Sequence, residues 1–198
     1  MQVCYGGLYK VIIIIEGIDG SGKTTLAEGL SKYYSIPIYK SFGVNREYFP
    51  EGNSYGIEDA WKKGIVDFSV ADFIRQVLVN VILDRSILSC YSYGRDNDRY
   101  LVDRWWEAMP KEEVLIIFLY ADDVNVLQSR AKNRKICGVD FTDLKEAQSR
   151  YFSIFSLLNG IKEKVFMIRT DNCLSDKVFE LAKNKVDELL KQGEKKYD

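Results

Sequence analysis

A short hydrophobic strand that leads directly into a glycine-rich loop constrains the fold of this chain more than any other feature. The segment KVIIIIE (10–16) holds four consecutive isoleucines, and the loop GIDGSGKTT (17–25) follows it. Glycines let several backbone N–H groups converge on one anion, and the N-terminus of a following helix adds positive potential. The segment TTLAEGLSKYY (24–34) is suited to be that helix. The sequence therefore predicts a strand, a phosphate-binding loop and a helix in succession.

The loop matches the pattern G-x-x-x-x-G-K-[ST], in which each residue type has its own task. The lysine, Lys23, supplies a mobile positive charge for the β- and γ-phosphates of a nucleotide, and the hydroxyl of Thr24 binds Mg²⁺. We therefore expect ATP and Mg²⁺ as ligands. The predicted ATP-binding residues are Gly17, Asp19, Gly20, Ser21, Gly22, Lys23, Thr24 and Thr25.

Short apolar runs alternate with longer amphipathic stretches along the rest of the chain. The runs that predict strands are 10–16, 36–40, 79–84, 114–120 and 164–169. The predicted helices are 22–34, 57–63, 68–77, 99–109, 122–134, 141–158 and 174–191. Strands that are apolar on both faces are typical of parallel sheets covered by helices on both sides. We predict one α/β domain over 1–198, with a doubly wound, five-stranded parallel sheet.

Composition and charge argue against several other classes of protein. The chain has 46% hydrophobic and 29% charged residues, a formal net charge of −1, four cysteines and no histidine. The near-zero charge argues against a nucleic-acid partner, and the lack of histidine excludes Ser/His and Cys/His triads. The cysteines are widely separated, which argues against a zinc site or a disulfide framework. We expect a cytoplasmic protein without a membrane partner, because we find neither a signal-peptide pattern nor a long apolar run.

A second candidate site follows the third predicted strand, where VILDRS (81–86) ends in Asp84 and Arg85. Ligands of open parallel sheets bind beyond the carboxyl ends of the strands, so this pair should face the same crevice as the loop. A carboxylate there can hold Mg²⁺ through water, and an arginine can clamp an acceptor phosphate. The alternative is an ion pair that ties strand to helix. The predicted metal site is Thr24 and Asp84.

Two arginines lie near the end of the helix predicted after the fourth strand. Arg130 and Arg134 share a helix face at i, i+4 spacing, which like charges disfavour unless an anion lies between them. Gly138 would let the following segment move as a lid that brings cations to the γ-phosphate. Alternatively, these are basic residues of the kind favoured at any helix C-terminus.

A guanine-reading motif, N-K-x-D, occurs as NKVD at 184–187 and would suggest a GTPase. It lies in the middle of a segment whose apolar residues recur at helical spacing. The motif is therefore better interpreted as the solvated face of an amphipathic helix.

Three segments in the correct order resemble the thymidylate kinase family. EGIDGSGKTT (16–25) is close to the family's phosphate-binding loop, and DRSILSCYSYG (84–94) is similar to its D-R segment. The region from 119 to 158 resembles its strand, helix, lid and long helix. The residues that match in the second and third segments are Asp84, Arg85, Ser89, Tyr93, Arg130, Arg134, Asp140 and Phe141. The resemblance implies a P-loop, nucleoside monophosphate kinase-like fold with a short lid at about 131–141.

The resemblance further implies transfer of the γ-phosphoryl group of ATP, with Mg²⁺, to a small deoxynucleoside monophosphate. Asp19 would approach the sugar 3′-hydroxyl, and Gly20, where some members have arginine, would leave the catalytic arginine to the lid. The implied catalytic residues are Lys23, Arg85, Arg130 and Arg134. The implied acceptor-binding residues are Asp19, Lys40, Phe68, Phe73, Arg75, Arg85 and Tyr93.

The acceptor side departs from the family pattern and leaves the base open. Lys40 and Ser41 stand where the family commonly has arginine and glutamate, and Gly94 replaces a base-reading glutamine. A deoxynucleoside kinase is the nearest alternative, but it needs a carboxylate near position 40 to deprotonate a hydroxyl. Another small-molecule or polynucleotide kinase and a non-catalytic nucleotide-binding module are further alternatives. Dimerisation is common in the family, and the apolar helix faces permit a homodimer.

Overall fold

The computed structural model describes residues 11–39, 80–93, 99–133 and 144–194. The helices predicted at 57–63 and 68–77 and most of the predicted lid lie outside these residues.

Five parallel strands form one sheet in the order β2-β3-β1-β4-β5. The strands are β1 (Ile12–Gly17), β2 (Ile38–Tyr39), β3 (Val81–Asp84), β4 (Val114–Tyr120) and β5 (Val165–Arg169). This confirms the predicted five-stranded parallel sheet. Because β1 lies between β3 and β4, the loop that follows it has neighbours on both sides.

The described residues form six α-helices. They are α1 (Lys23–Tyr34), α2 (Ile87–Tyr93), α3 (Arg99–Ala108), α4 (Val124–Asn133), α5 (Leu144–Leu157) and α6 (Ser175–Glu194). The sequence patterns did not predict α2. The NKVD motif lies inside α6, as predicted, where Asp187 accepts a hydrogen bond of 2.6 Å from the Tyr34 hydroxyl.

Hydrophobic cores lie on both faces of the sheet, since successive side chains of a strand point to opposite faces. Ile12 and Ile14 join a cluster with α2, α3 and α5, whereas Ile13 and Ile15 join one with α1 and α6. All four isoleucines are fully buried. The doubly wound arrangement is therefore confirmed. No helix of the described residues combines the length and apolar content needed to cross a bilayer.

Candidate active site

The phosphate-binding loop and the Asp84–Arg85 pair meet at the carboxyl ends of β1 and β3. Ile15 pairs with Asp84 in the sheet, and the backbone N–H of Arg85 donates to the Ile15 carbonyl at 3.0 Å. Strand pairing thus places segments almost seventy residues apart side by side.

Lys23 is the buried cation of the loop, with 6% of its surface exposed. Its ammonium group donates to the Ile18 carbonyl at 2.8 Å, and the N–H of Ser21 donates to the same oxygen at 3.2 Å. Burial, followed by repulsion from Arg85, lowers the pKa of Lys23 to about 7. A phosphate bound at the loop would favour the charged form of this lysine.

Gly20 packs directly against the backbone of α4. Its φ is +81°, and a Cβ at this position would lie 2.2 Å from the carbonyl oxygen of Leu127. The backbone of Leu127 cannot move aside as a flexible side chain would. Residue 20 therefore has no room for a side chain.

The predicted metal ligands form a direct contact. The hydroxyl of Thr24, in the first turn of α1, donates to Asp84 Oδ2 at 2.9 Å. Mg²⁺ prefers oxygen ligands and commonly keeps several waters, so a hydroxyl beside a carboxylate at a phosphate-binding loop fits this ion. Thr24 and Asp84 could therefore hold Mg²⁺.

Asp19 joins the loop to the second site. Its carboxylate pairs with the guanidinium of Arg85 and lies 3.9 Å from the ammonium of Lys23. Burial alone would raise the pKa of Asp19, but Arg85 and Lys23 outweigh it and lower that pKa. The N–H of Asp19 donates to the Tyr93 hydroxyl at 2.9 Å, and the Arg85 guanidinium lies 5.5 Å from the centre of the Tyr93 ring. The structure therefore brings four predicted site residues together.

Arg85 adopts a left-handed backbone conformation, with φ of +75°. Such conformations are uncommon for residues with side chains and persist where surrounding bonds hold them. Two N–H groups supply those bonds: that of Arg85 donates to Ile15, and that of Ser86 donates to Glu16 Oε1 at 2.7 Å. The last residues of β1 therefore determine how Arg85 leaves β3.

Among solved structures, a thymidylate kinase from Candida albicans matches with a TM-score of 0.60 and 20% identity, covering 92% of this chain and 94% of that one. A deoxyadenosine kinase from M. mycoides matches with a TM-score of 0.61 and 17% identity, covering 90% of this chain and all of that one. At these identities the likeness shows the fold alone, which this chain shares with both kinases. No family model matches the sequence.

Curated relatives decide the family. A protein of Saccharolobus solfataricus named as a thymidylate kinase is 33% identical over 140 residues, which cover 63% of this chain and 71% of the relative. The chain belongs to the thymidylate kinase family. A protein of Acidianus bottle-shaped virus, also named as a thymidylate kinase, is 37% identical over 86 residues, or 42% of this chain. That match spans about half of the viral protein, 47% of its length.

Sequence reasoning missed the role of Glu16, a fully buried carboxyl at the end of β1. Its Oε1 accepts from the N–H and the hydroxyl of Ser86, at 2.7 and 2.6 Å. Its Oε2 contacts the hydroxyls of Ser89 and Tyr151, at 2.7 and 2.8 Å. Burial raises the pKa of Glu16 against these bonds. The signal was available: a glutamate that ends a wholly apolar strand needs partners.

The described contacts of Arg130, a predicted catalytic residue, lie beyond the end of β5. Arg130 donates to the carbonyl oxygens of Thr170 and Asp171, at 2.9 and 3.3 Å. Its catalytic role stays a prediction. The remaining predicted residues lie outside the described part of the chain: Arg134, Lys40, Phe68, Phe73 and Arg75.

Proposed function

We propose that the chain transfers the γ-phosphoryl group of Mg·ATP to a deoxynucleoside monophosphate, most like the conversion of dTMP to dTDP. One observation supports this above all: Asp19 lies between Lys23 of the donor loop and Arg85 of the predicted acceptor side. Cations for both phosphate groups thus meet within one cluster, as transfer between two anions requires.

The acceptor of this reaction is already anionic, so it needs no strong general base. Catalysis then consists of positioning the two phosphates and neutralising their charge. In the proposed reaction, the acceptor phosphate replaces Asp19 as the ion-pair partner of Arg85. The carboxylate of Asp19 then binds the sugar 3′-hydroxyl. Lys23 moves its ammonium from the Ile18 carbonyl to the transferred phosphoryl group.

Thr24 and Asp84 are the proposed ligands of Mg²⁺. When bound, the ion neutralises charge on the β- and γ-phosphate oxygens. The hydrogen bond between the two side chains already fixes their spacing, which reduces the reorganisation needed on binding.

The proposal also includes predicted residues that lie outside the described part of the chain. Lys40, Phe68, Phe73 and Arg75 would bind the acceptor, and Arg134 would act from the lid. By the same likeness to the family we propose a cytoplasmic homodimer. Sedimentation of the purified chain tests the dimer, and a monomer at working enzyme concentrations would refute it.

A coupled ADP-release assay tests the proposed activity. Mg·ATP is offered with a panel of deoxy- and ribonucleoside monophosphates, free nucleosides and DNA ends. We expect deoxynucleoside monophosphates to accelerate ADP release, with dTMP among the best. Faster release with a free nucleoside or a DNA end would support the alternative kinases. ATP binding without transfer to any acceptor would support a nucleotide-binding module.

A further inference from the structure

A buried triangle of three polar side chains lies beside the proposed site and has no role in the reaction as stated above. We call the residues Glu16, Ser89 and Tyr151 the polar triangle. Glu16 Oε2 lies 2.7 Å from Ser89 Oγ and 2.8 Å from the Tyr151 hydroxyl, and the two hydroxyls lie 2.7 Å apart. All three residues are fully buried. They come from β1, α2 and α5, so the triangle joins three elements.

The number of hydrogens in the polar triangle indicates that Glu16 is neutral. Three contacts at hydrogen-bond distance need three hydrogens, one between each pair of oxygens. Ser89 and Tyr151 supply one each, and the third must come from the carboxyl of Glu16. The other oxygen of this carboxyl already accepts both hydrogens of Ser86, so the proton lies on Oε2. Burial raises the pKa of Glu16 and thereby favours the neutral form.

The polar triangle holds Arg85 at two points. The guanidinium donates from Nη1 to Ser89 Oγ at 3.3 Å, which adds a second restraint to its ion pair with Asp19. The N–H of Ser86, the residue after Arg85, donates to Glu16, which fixes the left-handed backbone. Tyr151 touches both Ser89 and Glu16, so its hydroxyl supports both restraints.

We propose that Tyr151 is a positioning residue for Arg85, acting through Ser89 and Glu16. The inference rests on the proposed function, because it assumes that Arg85 clamps the acceptor phosphate. Tyr151 lies on α5, the helix that follows the predicted lid. Arg85 is therefore linked to α5 through the polar triangle.

Tyr151→Phe tests the proposal by removing only the hydroxyl. The ring keeps its packing against Phe118, with centroids 5.0 Å apart. We expect kcat/KM for the acceptor to fall about tenfold, the size of one lost hydrogen bond at a charged group, while KM for ATP stays unchanged. Assays are run well below the melting temperature of each variant. An acceptor kcat/KM close to that of the wild type, or an equal change for ATP, would overturn the proposal.

Tyr120→Phe is the matched control. Tyr120 packs on the same Phe118 ring, with centroids 6.3 Å apart, but is not part of the polar triangle. We expect its kinetic constants to equal those of the wild type. If the control loses as much as Tyr151→Phe, the effect belongs to the aromatic cluster and the proposal fails.

A double-mutant cycle with Ser89→Ala tests the route from Tyr151 to Arg85. If the hydroxyl of Tyr151 acts through Ser89, the double variant should lose little more than the worse single variant. Independent losses that multiply would show that Tyr151 does not act through Ser89 and would contradict this part of the proposal.

Nuclear magnetic resonance of the arginine side chains gives a readout that needs no turnover. With arginine labelled by a nitrogen isotope and Arg85 assigned through Arg85→Lys, the two terminal nitrogens should give separate signals in the wild type. We expect Tyr151→Phe to bring these signals closer together, because it loosens the restraint that Ser89 places on the guanidinium while the ion pair with Asp19 remains. Unchanged signals would refute the proposal. If no acceptor is found, the proposed function fails and this measurement still decides the role of Tyr151.

Discussion

At the residue scale, we expect the proposed transfer to depend most on the buried ammonium of Lys23. Lys23→Ala should lower kcat by at least about a hundredfold, as the removal of a preorganised stabilising group does. Lys32→Ala, an exposed lysine at the end of the same helix, is the control and should keep full activity. Steady-state ADP release and circular dichroism together check the result. A near-normal rate in a folded Lys23→Ala variant would refute the proposed role of Lys23 in phosphoryl transfer.

Gly20 gives a prediction about stability. Gly20→Ala and Gly160→Ala both place a side chain at positive φ, but only at Gly20 would the new Cβ meet backbone, whereas at Gly160 it meets nothing within 4 Å. Gly160→Ala should lose about 1 kcal/mol of unfolding free energy, and Gly20→Ala about 2 to 4 kcal/mol. Urea unfolding without nucleotide measures both. Equal losses would contradict the close approach of Gly20 to Leu127.

Glu16 makes the stability depend on pH in a defined direction. Burial raises its pKa above the ordinary value of 4.5, so the folded state holds the proton more tightly than the unfolded state. Stability from this group is therefore greatest at low pH and falls as pH rises above that value, by up to about 1.4 kcal/mol per pH unit.

Glu16→Gln has no proton to release and should show a flatter pH profile. Urea unfolding of both proteins between about pH 5 and 8 checks this, since other groups cancel in the difference. A difference that stays constant with pH would contradict a neutral Glu16.

At the element scale, α5 is anchored to the end of β4 by one side chain. Gln148 accepts from the N–H of Ala121 at 3.0 Å and donates to its carbonyl oxygen at 2.7 Å. Gln148→Leu would leave two buried backbone groups without partners and should cost about 2 to 4 kcal/mol of unfolding free energy.

Ser156→Ala, on the exposed face of the same helix, is the control for α5. It should change the unfolding free energy by less than about 0.5 kcal/mol. If Gln148→Leu has an effect as small as this, Gln148 is not an anchor of α5.

The elements also show what sequence patterns can and cannot predict. The strands were predictable because runs such as Ile12–Ile15 have no polar residue to expose. Helix α2 was missed because ILSCYSY (87–93) contains mostly weak helix formers. Its start is held by hydrogen bonds that Ser86 donates to Glu16. Those bonds join residues 70 positions apart, which local patterns do not reveal.

The candidate site, like the fold, was predictable only in part. The loop motif and the strand-end rule placed Lys23, Thr24, Asp84 and Arg85 in one crevice. The polar triangle was not predictable, because Tyr151 is 135 residues from Glu16 along the chain and meets it only through packing of α5. The hydrogen-bond partners of Arg130 were not predictable either, since Thr170 lies 40 residues away along the chain.

At the scale of the whole molecule, the strand order gathers the site around β1. With β3 on one side and β4 on the other, the loop after β1 receives Asp84 and Arg85 from β3, while Leu127, in the helix after β4, packs on Gly20. The carboxyl ends of these strands therefore bring together Lys23, the Thr24–Asp84 pair and Arg85. We propose that this arrangement forms one crevice that binds two phosphates.

A single-turnover experiment with ATP radiolabelled at its γ-phosphate tests that claim most directly. Enzyme in excess over labelled ATP is mixed with Mg²⁺ and dTMP, quenched, and the products are separated. We predict that the label moves to dTDP in the wild type and stays in ATP in Lys23→Ala. Label that passes to inorganic phosphate, or that is transferred only when thymidine replaces dTMP, would contradict a crevice built for two phosphates.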